Sequence, residues 1–138
     1  MTRPTYSIDF DAPGEFLRLT LRGDWDTDIT ERFAADVATT LRKMLASGTR
    51  HGHLRTLIDM REKNLLPQNV VAEFAKMVRP DSPSFRIAMI VATKLHALQA
   101  KRISDDKRAV FDSEAAAMAW LMEGAPAPLD AQGDPRIG

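Results

Sequence analysis

Residues 108–121 read Arg-Ala-Val-Phe-Asp-Ser-Glu-Ala-Ala-Ala-Met-Ala-Trp-Leu. Ala109, Val110 and Phe111 make a short apolar strand. Asp112 and Ser113 follow at once, and such side-chain oxygens accept the first orphan N–H groups of a helix. An alanine-rich stretch then carries Trp120 and Leu121, and alanine is the best helix former. The reading is a last strand over Ala109–Phe111 and a last helix from Ser113 to Met122. A strand that passes through a cap into a helix is the closing unit of an α/β fold.

The rest of the chain supplies partners for that unit. Tyr6, Ile8 and Phe10 alternate with Ser7, Asp9 and Asp11, and Leu17, Leu19 and Leu21 alternate with Arg18, Thr20 and Arg22. Period two marks half-buried strands. The turn Asp11-Ala-Pro-Gly-Glu15 joins them as an antiparallel hairpin. Asp28 with Glu31 three residues on predicts a capping box. Ile29, Phe33, Val37, Leu41, Met44 and Leu45 then follow at helical spacing. Leu54–Met60 is a third strand whose Leu57-Ile58 centre is apolar on both faces, as a strand covered by helices should be. Pro67 opens a further helix whose buried face holds Val70, Val71, Phe74, Met77 and Val78. Phe85–Ala92 is the strongest strand, read as central and parallel, and Thr93 can cap a short helix bearing Leu95 and Leu98. The expectation is a mixed five-stranded sheet with about four helices, an N-terminal antiparallel hairpin and parallel strands elsewhere.

One domain is expected from the 138 residues, spanning 1–123, with a flexible tail over 124–138. Such a domain buries enough surface to need no metal or disulfide. Nineteen basic and nineteen acidic side chains cancel, so the net basic footprint of a nucleic-acid binder is missing. The chain has no cysteine, which removes thiolate catalysis and cysteine-ligated metals. No signal-peptide core and no apolar run near the ~20 residues of a membrane span are present. A cytoplasmic location is the default expectation.

This order of elements, ending in Val110-Phe111-Asp112 and Ala119-Trp120-Leu121, resembles the STAS-like family. That is the fold of bacterial anti-sigma-factor antagonists and of small proteins similar to the stage II sporulation antagonist. The resemblance covers Thr5 to Glu123, and Leu57-Ile58-Asp59 resembles the family's aspartate-ended third strand. It implies a regulatory, protein-binding role. Antagonists of the regulatory branch carry a phosphorylated serine or threonine after that strand. Here residues 59–69 read Asp-Met-Arg-Glu-Lys-Asn-Leu-Leu-Pro-Gln-Asn, and the next hydroxyl is Ser82. A kinase has nothing to modify there, so the phosphorylation switch is excluded at that place.

Ligands of open α/β sheets gather beyond the carboxyl ends of parallel strands. Asp59, Arg61, Glu62, Lys63 and Asn64 stand at such an end and are the candidate ligand or partner site. A solvated, self-neutralising loop is the plainer reading of the same residues. Other features point less far. His51-Gly52-His53 offers too few ligands for zinc and reads as a surface loop. Asp24, Asp26 and Asp28 imitate the opening of a calcium loop, but Ile29 and Ala35 stand where it needs glycine and glutamate. Lys101, Arg102, Lys107 and Arg108 form a basic cluster diluted by Asp105 and Asp106. Trp25 packs on the sheet or anchors a partner; Trp120 belongs to the core.

Three functions follow from these residues. The first is a non-enzymatic interaction or regulatory module, since nucleophile-elbow, phosphate-loop and dinucleotide motifs are all missing. The second is a module for a small apolar molecule or lipid, suggested by Met77, Met89, Met118 and Met122 at core spacings and by the crevice expected beyond Asp59 and Val91 at the parallel strand ends. The third is an enzyme using His96 with Asp105 or Asp59, which no spacing brings together. No cofactor and no catalytic residue is implied. The exposed edge of the first hairpin can pair with its copy in a homodimer, unless Arg18 and Arg22 blunt it.

Overall fold

The structure, a computed structural model, describes residues 3–64, 83–94 and 107–124. Strands β1 (Thr5–Asp11) and β2 (Phe16–Gly23) lead into helix α1 (Thr27–Ala46). Strands β3 (Leu54–Lys63), β4 (Ser84–Ile90) and β5 (Arg108–Phe111) follow, and α2 (Glu114–Leu121) closes the described part. The sheet runs β1-β2-β3-β4-β5. β1 and β2 are antiparallel, with Ile8 opposite Leu19, and every other pairing is parallel. This is the expected mixed sheet. Two helices stand among the described residues. Those expected after Pro67 and Thr93, and the tail expected over 124–138 except Gly124, lie outside them.

Period two along the strands sorts the side chains into two cores. One holds Leu17, Leu19, Leu21, Ile58, Met60, Ile87, Met89 and Val91, covered by Phe33 and Met44 of α1. The other holds Leu57, Ala88 and Ile90 beneath Ala117 and Leu121 of α2. Leu57 and Ile58 are both buried, so β3 is covered on both faces as its sequence requires.

The start of α1 and the last position of its apolar stripe differ from expectation. The N-cap is Asp26, whose side chain accepts from the Ile29 amide at 3.0 Å, and Asp28 sits in the first turn. Ile29 occupies the position where a capping box needs Glu or Gln, so no box forms. Leu45 falls outside the buried stripe and is exposed. Gly23 ends β2 at φ +84°, where a Cβ would run into the Arg3 carbonyl.

α2 is short and mostly alanine, yet it is held at both ends. Ser113 caps it, accepting from the Ala116 amide at 3.2 Å. At the other end Arg55 of β3 donates to the Leu121 and Gly124 carbonyls at 2.9 and 3.0 Å. Arg86 of β4 donates to the Trp120 carbonyl and lies 4.6 Å from the Trp120 ring centre. These arginines meet the negative end of the helix dipole and satisfy its orphan carbonyls. Trp120 is half-buried rather than core, because its ring lies between Phe111 and the Arg86 guanidinium at the rim.

Candidate functional site

The carboxyl ends of β2 and β3 are shaped by a bulge. Thr20 pairs with Asp59 but Arg22 pairs with Glu62, so Met60 and Arg61 together oppose Leu21. A bulge re-aims side chains at a strand end. Met60 stays in the α1-side core while Arg61 turns back over Asp59 on the α2 side. Strand pairing therefore continues to Lys63, and the Asn64 amide donates to the Gly23 carbonyl at 2.9 Å.

Four charged side chains from three elements meet there. The Asp59 carboxylate accepts from the Arg61 amide at 3.1 Å, from Arg61 Nε at 3.0 Å and from its terminal nitrogen at 2.7 Å. Arg18 of β2 reaches the same carboxylate at 3.3 Å. Glu114, the first residue of α2, accepts from Arg18 at 3.1 Å and from Arg61 at 3.0 Å. Glu114 also stands in the first helical turn, where the dipole favours a negative charge. The cluster is neutral in sum and ties β2, β3 and α2 together.

Burial pushes the Asp59 carboxyl up, but the hydrogen bonds and charge of Arg61, with the charge of Arg18, outweigh it and hold it below its ordinary value. The hydrogen bond and charge of Arg18, helped by Arg61, lower Glu114 in the same way. Both acids are thus held as carboxylates, the wrong state for a general acid. Their lone pairs are engaged by guanidinium groups, which cannot give up a proton.

No protein-family model and no curated protein matches the sequence. A solved structure matches its shape: an uncharacterized protein of the DUF3478 family with a SpoIIAA-like fold, from Shewanella loihica PV-4. The two chains are 17% identical over 88% of this chain and 95% of that one, with a TM-score of 0.54. This chain has a SpoIIAA-like fold. At such identity the likeness speaks to the scaffold, and a scaffold does not fix function.

On this SpoIIAA-like scaffold the five candidate residues separate. Asp59 and Lys63 are buried, while Arg61, Glu62 and Asn64 are exposed. Asp59 stands on β3 as expected; the bulge carries Arg61, Glu62 and Lys63, expected in the loop beyond that strand, onto β3 as well. Glu62 faces Arg22 at 3.5 Å, Lys63 lies 5.3 Å from the Trp25 ring centre, and Asn64 donates to Asp24. Sequence reasoning missed Arg18 and Glu114, which stand 41 and 55 residues from Asp59 in the chain (59 − 18 and 114 − 59). Their only signals were a place on the polar face of β2 and a place after a helix cap.

Other expectations are corrected or refined by the same geometry. Arg18 and Arg22 lie on an interior strand, so neither blunts the sheet edge; that edge is β1. His51-Gly52-His53 is a turn with His51 exposed, as read, but His53 is buried where the chain enters β3. Among the described residues no group of acids and histidines could hold a metal ion. Trp25 packs inward: its ring sits 5.2 Å from Phe33 and 6.0 Å from Tyr6, and its indole N–H donates to the Arg22 carbonyl at 2.8 Å. Met89 and Met118 lie on opposite faces of the sheet and Met122 is exposed, so these three line no common space. Met77, His96, Lys101, Arg102, Asp105 and Asp106 lie outside the described residues. No described helix is long and apolar enough to cross a membrane.

Proposed function

We propose that the chain is a non-catalytic interaction module of the STAS-like kind, whose protein partner docks at the carboxyl end of β3. The observation that supports this is the mutual pairing of Arg18, Asp59, Arg61 and Glu114. Their charges are spent on holding β2, β3 and α2 in one geometry. Arg61, Glu62 and Asn64 then stand on a braced strand end, with their side chains at the surface. Rigid presentation of polar groups lowers the ordering cost of binding. Residues 59–69 hold no hydroxyl, so association is not switched by phosphorylation of that segment.

The test is affinity capture at native salt with wild type and with a Glu62→Lys/Asn64→Ala double variant. These side chains are exposed and lie outside the four-charge cluster. We expect one protein retained by wild type and depleted at least ~10-fold by the variant, the loss of about one well-placed polar contact. No retained protein, or equal retention by both, overturns the proposal. A small molecule seen by native mass spectrometry, with no protein captured, would favour the apolar-ligand reading in its place.

A further inference from the structure

We propose that the chain forms a two-fold dimer through β1, in antiparallel register centred on Ile8. β1 is an edge strand seven residues long, and among the described residues no strand pairs with its outer side. Such an edge offers a row of unused backbone donors and acceptors. The opposite edge is unlike it: β5 has four residues and begins with Arg108. Short and charged edges are the protected kind. This surface is separate from the partner site at the end of β3.

The sequence of β1 selects its own partner. Centring on Ile8 opposes Tyr6 to Phe10, Ser7 to Asp9 and Thr5 to Asp11 of the other copy. Each carboxylate then faces a hydroxyl that can donate to it. Centring one residue later opposes Asp9 to Asp9, a like-charge pair that destabilises a sheet. Centring one residue earlier opposes Phe10 to Pro4, which has no N–H to give. The Ile8 register alone avoids both faults.

Phe10 carries the argument to the side chains. It is 49% exposed, the largest value among the large apolar side chains of the described residues. Tyr6 and Ile8 pack towards the α1-side core, so Phe10 lies on that face by the period of the strand. Residues directly opposed across an antiparallel pair share a face and touch. In the dimer each Phe10 therefore reaches Tyr6 of the other copy, which already meets Phe33 at 5.2 Å and Trp25 at 6.0 Å. An isolated exposed ring becomes the outer member of an aromatic cluster. A two-fold axis normal to the sheet keeps both copies of α1 on one face of a continuous sheet.

The test uses the absence of cysteine from the chain. Light scattering of wild type should give twice the 15.4 kDa chain mass, and Phe10→Lys should give the single mass with an unchanged circular dichroism spectrum. Ser7→Cys and Asp9→Cys lie on the exposed side of β1. Mixed and oxidised, they should cross-link to each other, and neither should cross-link to itself. Wild type at the single-chain mass over all concentrations overturns the proposal. So does a dimer that survives Phe10→Lys, or one in which the two cysteine variants do not join. Self-linked Asp9→Cys or self-linked Ser7→Cys would overturn the register.

Discussion

Glu15 is the one non-glycine residue described with a positive φ, +56°. It closes the β1–β2 turn, donating its amide to the Ala12 carbonyl at 3.1 Å. The left-handed conformation costs an L-residue about 1–2 kcal/mol. The side chain explains why glutamate is kept there. Its carboxylate accepts from the Arg50 amide and Nε, both at 2.9 Å, and from a terminal nitrogen at 2.7 Å. A strained backbone is held by a three-point grip on the α1–β3 connection. Glu15→Ala loses the grip and keeps the strain, whereas Glu15→Gly loses the grip and relieves it. We expect Glu15→Gly to be the more stable by about 1 kcal/mol; chemical denaturation that ranks them the other way refutes this. The hydrogen bonds of Arg50 hold the Glu15 carboxyl at about 2 against an ordinary 4.5. On acidification the unfolded chain takes up its proton first. The stability from this carboxylate is therefore whole above about pH 5 and is lost as pH falls from 4.5 towards about 2. Asp59 and Glu114, also lowered, act in the same direction. Between pH ~6 and ~3 the denaturation midpoint of wild type should fall further than that of Glu15→Gln. Equal falls would mean the grip contributes nothing.

At the scale of elements, the cap of α1 separates what a sequence can rank from what it cannot. Asp26 and Asp28 are both good caps, and Glu31 argues for the second. The choice falls on Asp26 because Trp25 packs on Tyr6 and Phe33, which fixes where the chain enters the helix. Asp26→Ala should cost about 1 kcal/mol of stability. Asp28→Ala should cost about 0.3–1 kcal/mol, the dipole contribution alone. Thermal melts giving the reverse order would restore the capping box. Closer to the site, the extension of β3 to Lys63 could not be read locally. Arg61-Glu62-Lys63 lacks strand-forming residues, and only pairing with Arg22 and Gly23 across the bulge makes it a strand. By contrast Leu57-Ile58 and the unit Phe111-Asp112-Ser113 were legible, because burial on both faces and helix capping are written in adjacent residues. Trp120 was placed too deep for the same reason. Its sequence neighbours are apolar, but in space its ring meets the Arg86 guanidinium as well as Phe111. Trp120→Ala should therefore cost about 2 kcal/mol, less than the about 3–5 kcal/mol of a fully buried aromatic.

Across the whole molecule, the two faces of the sheet are held by different physics. α1 covers a broad core and contributes Phe33 and Met44 to it, with Val37 and Leu41 packed alongside. α2 buries only Ala117 and Leu121 completely. Burial of an alanine contributes little, since apolar area scales the gain at roughly 25 cal/mol per Å². Among the described residues Leu121 is the one large side chain that α2 buries completely, and much of the rest of its seat is polar: Glu114 on Arg18 and Arg61 at one end, and Arg55 and Arg86 on its last carbonyls at the other. Ion pairs near the surface contribute modestly and are screened by salt, whereas a packed core is not. Opening of α2 should then need less free energy than opening of the sheet, and the gap should widen as salt rises. Hydrogen exchange can read this directly. Amides at the centre of β3, between β2 and β4, should exchange last, at the global rate. Those of α2 should exchange earlier, and faster still at about 1 M salt, where the screening length falls to about 3 Å. Protection of α2 equal to that of β3 and indifferent to salt would place its anchorage in Leu121 and Ala117, and would leave the arginines as ornaments of the surface. The consequence reaches the candidate site, because Glu114 leaves Arg18 and Arg61 whenever α2 opens. The geometry presented beyond β3 is therefore only as rigid as the seat of the last helix.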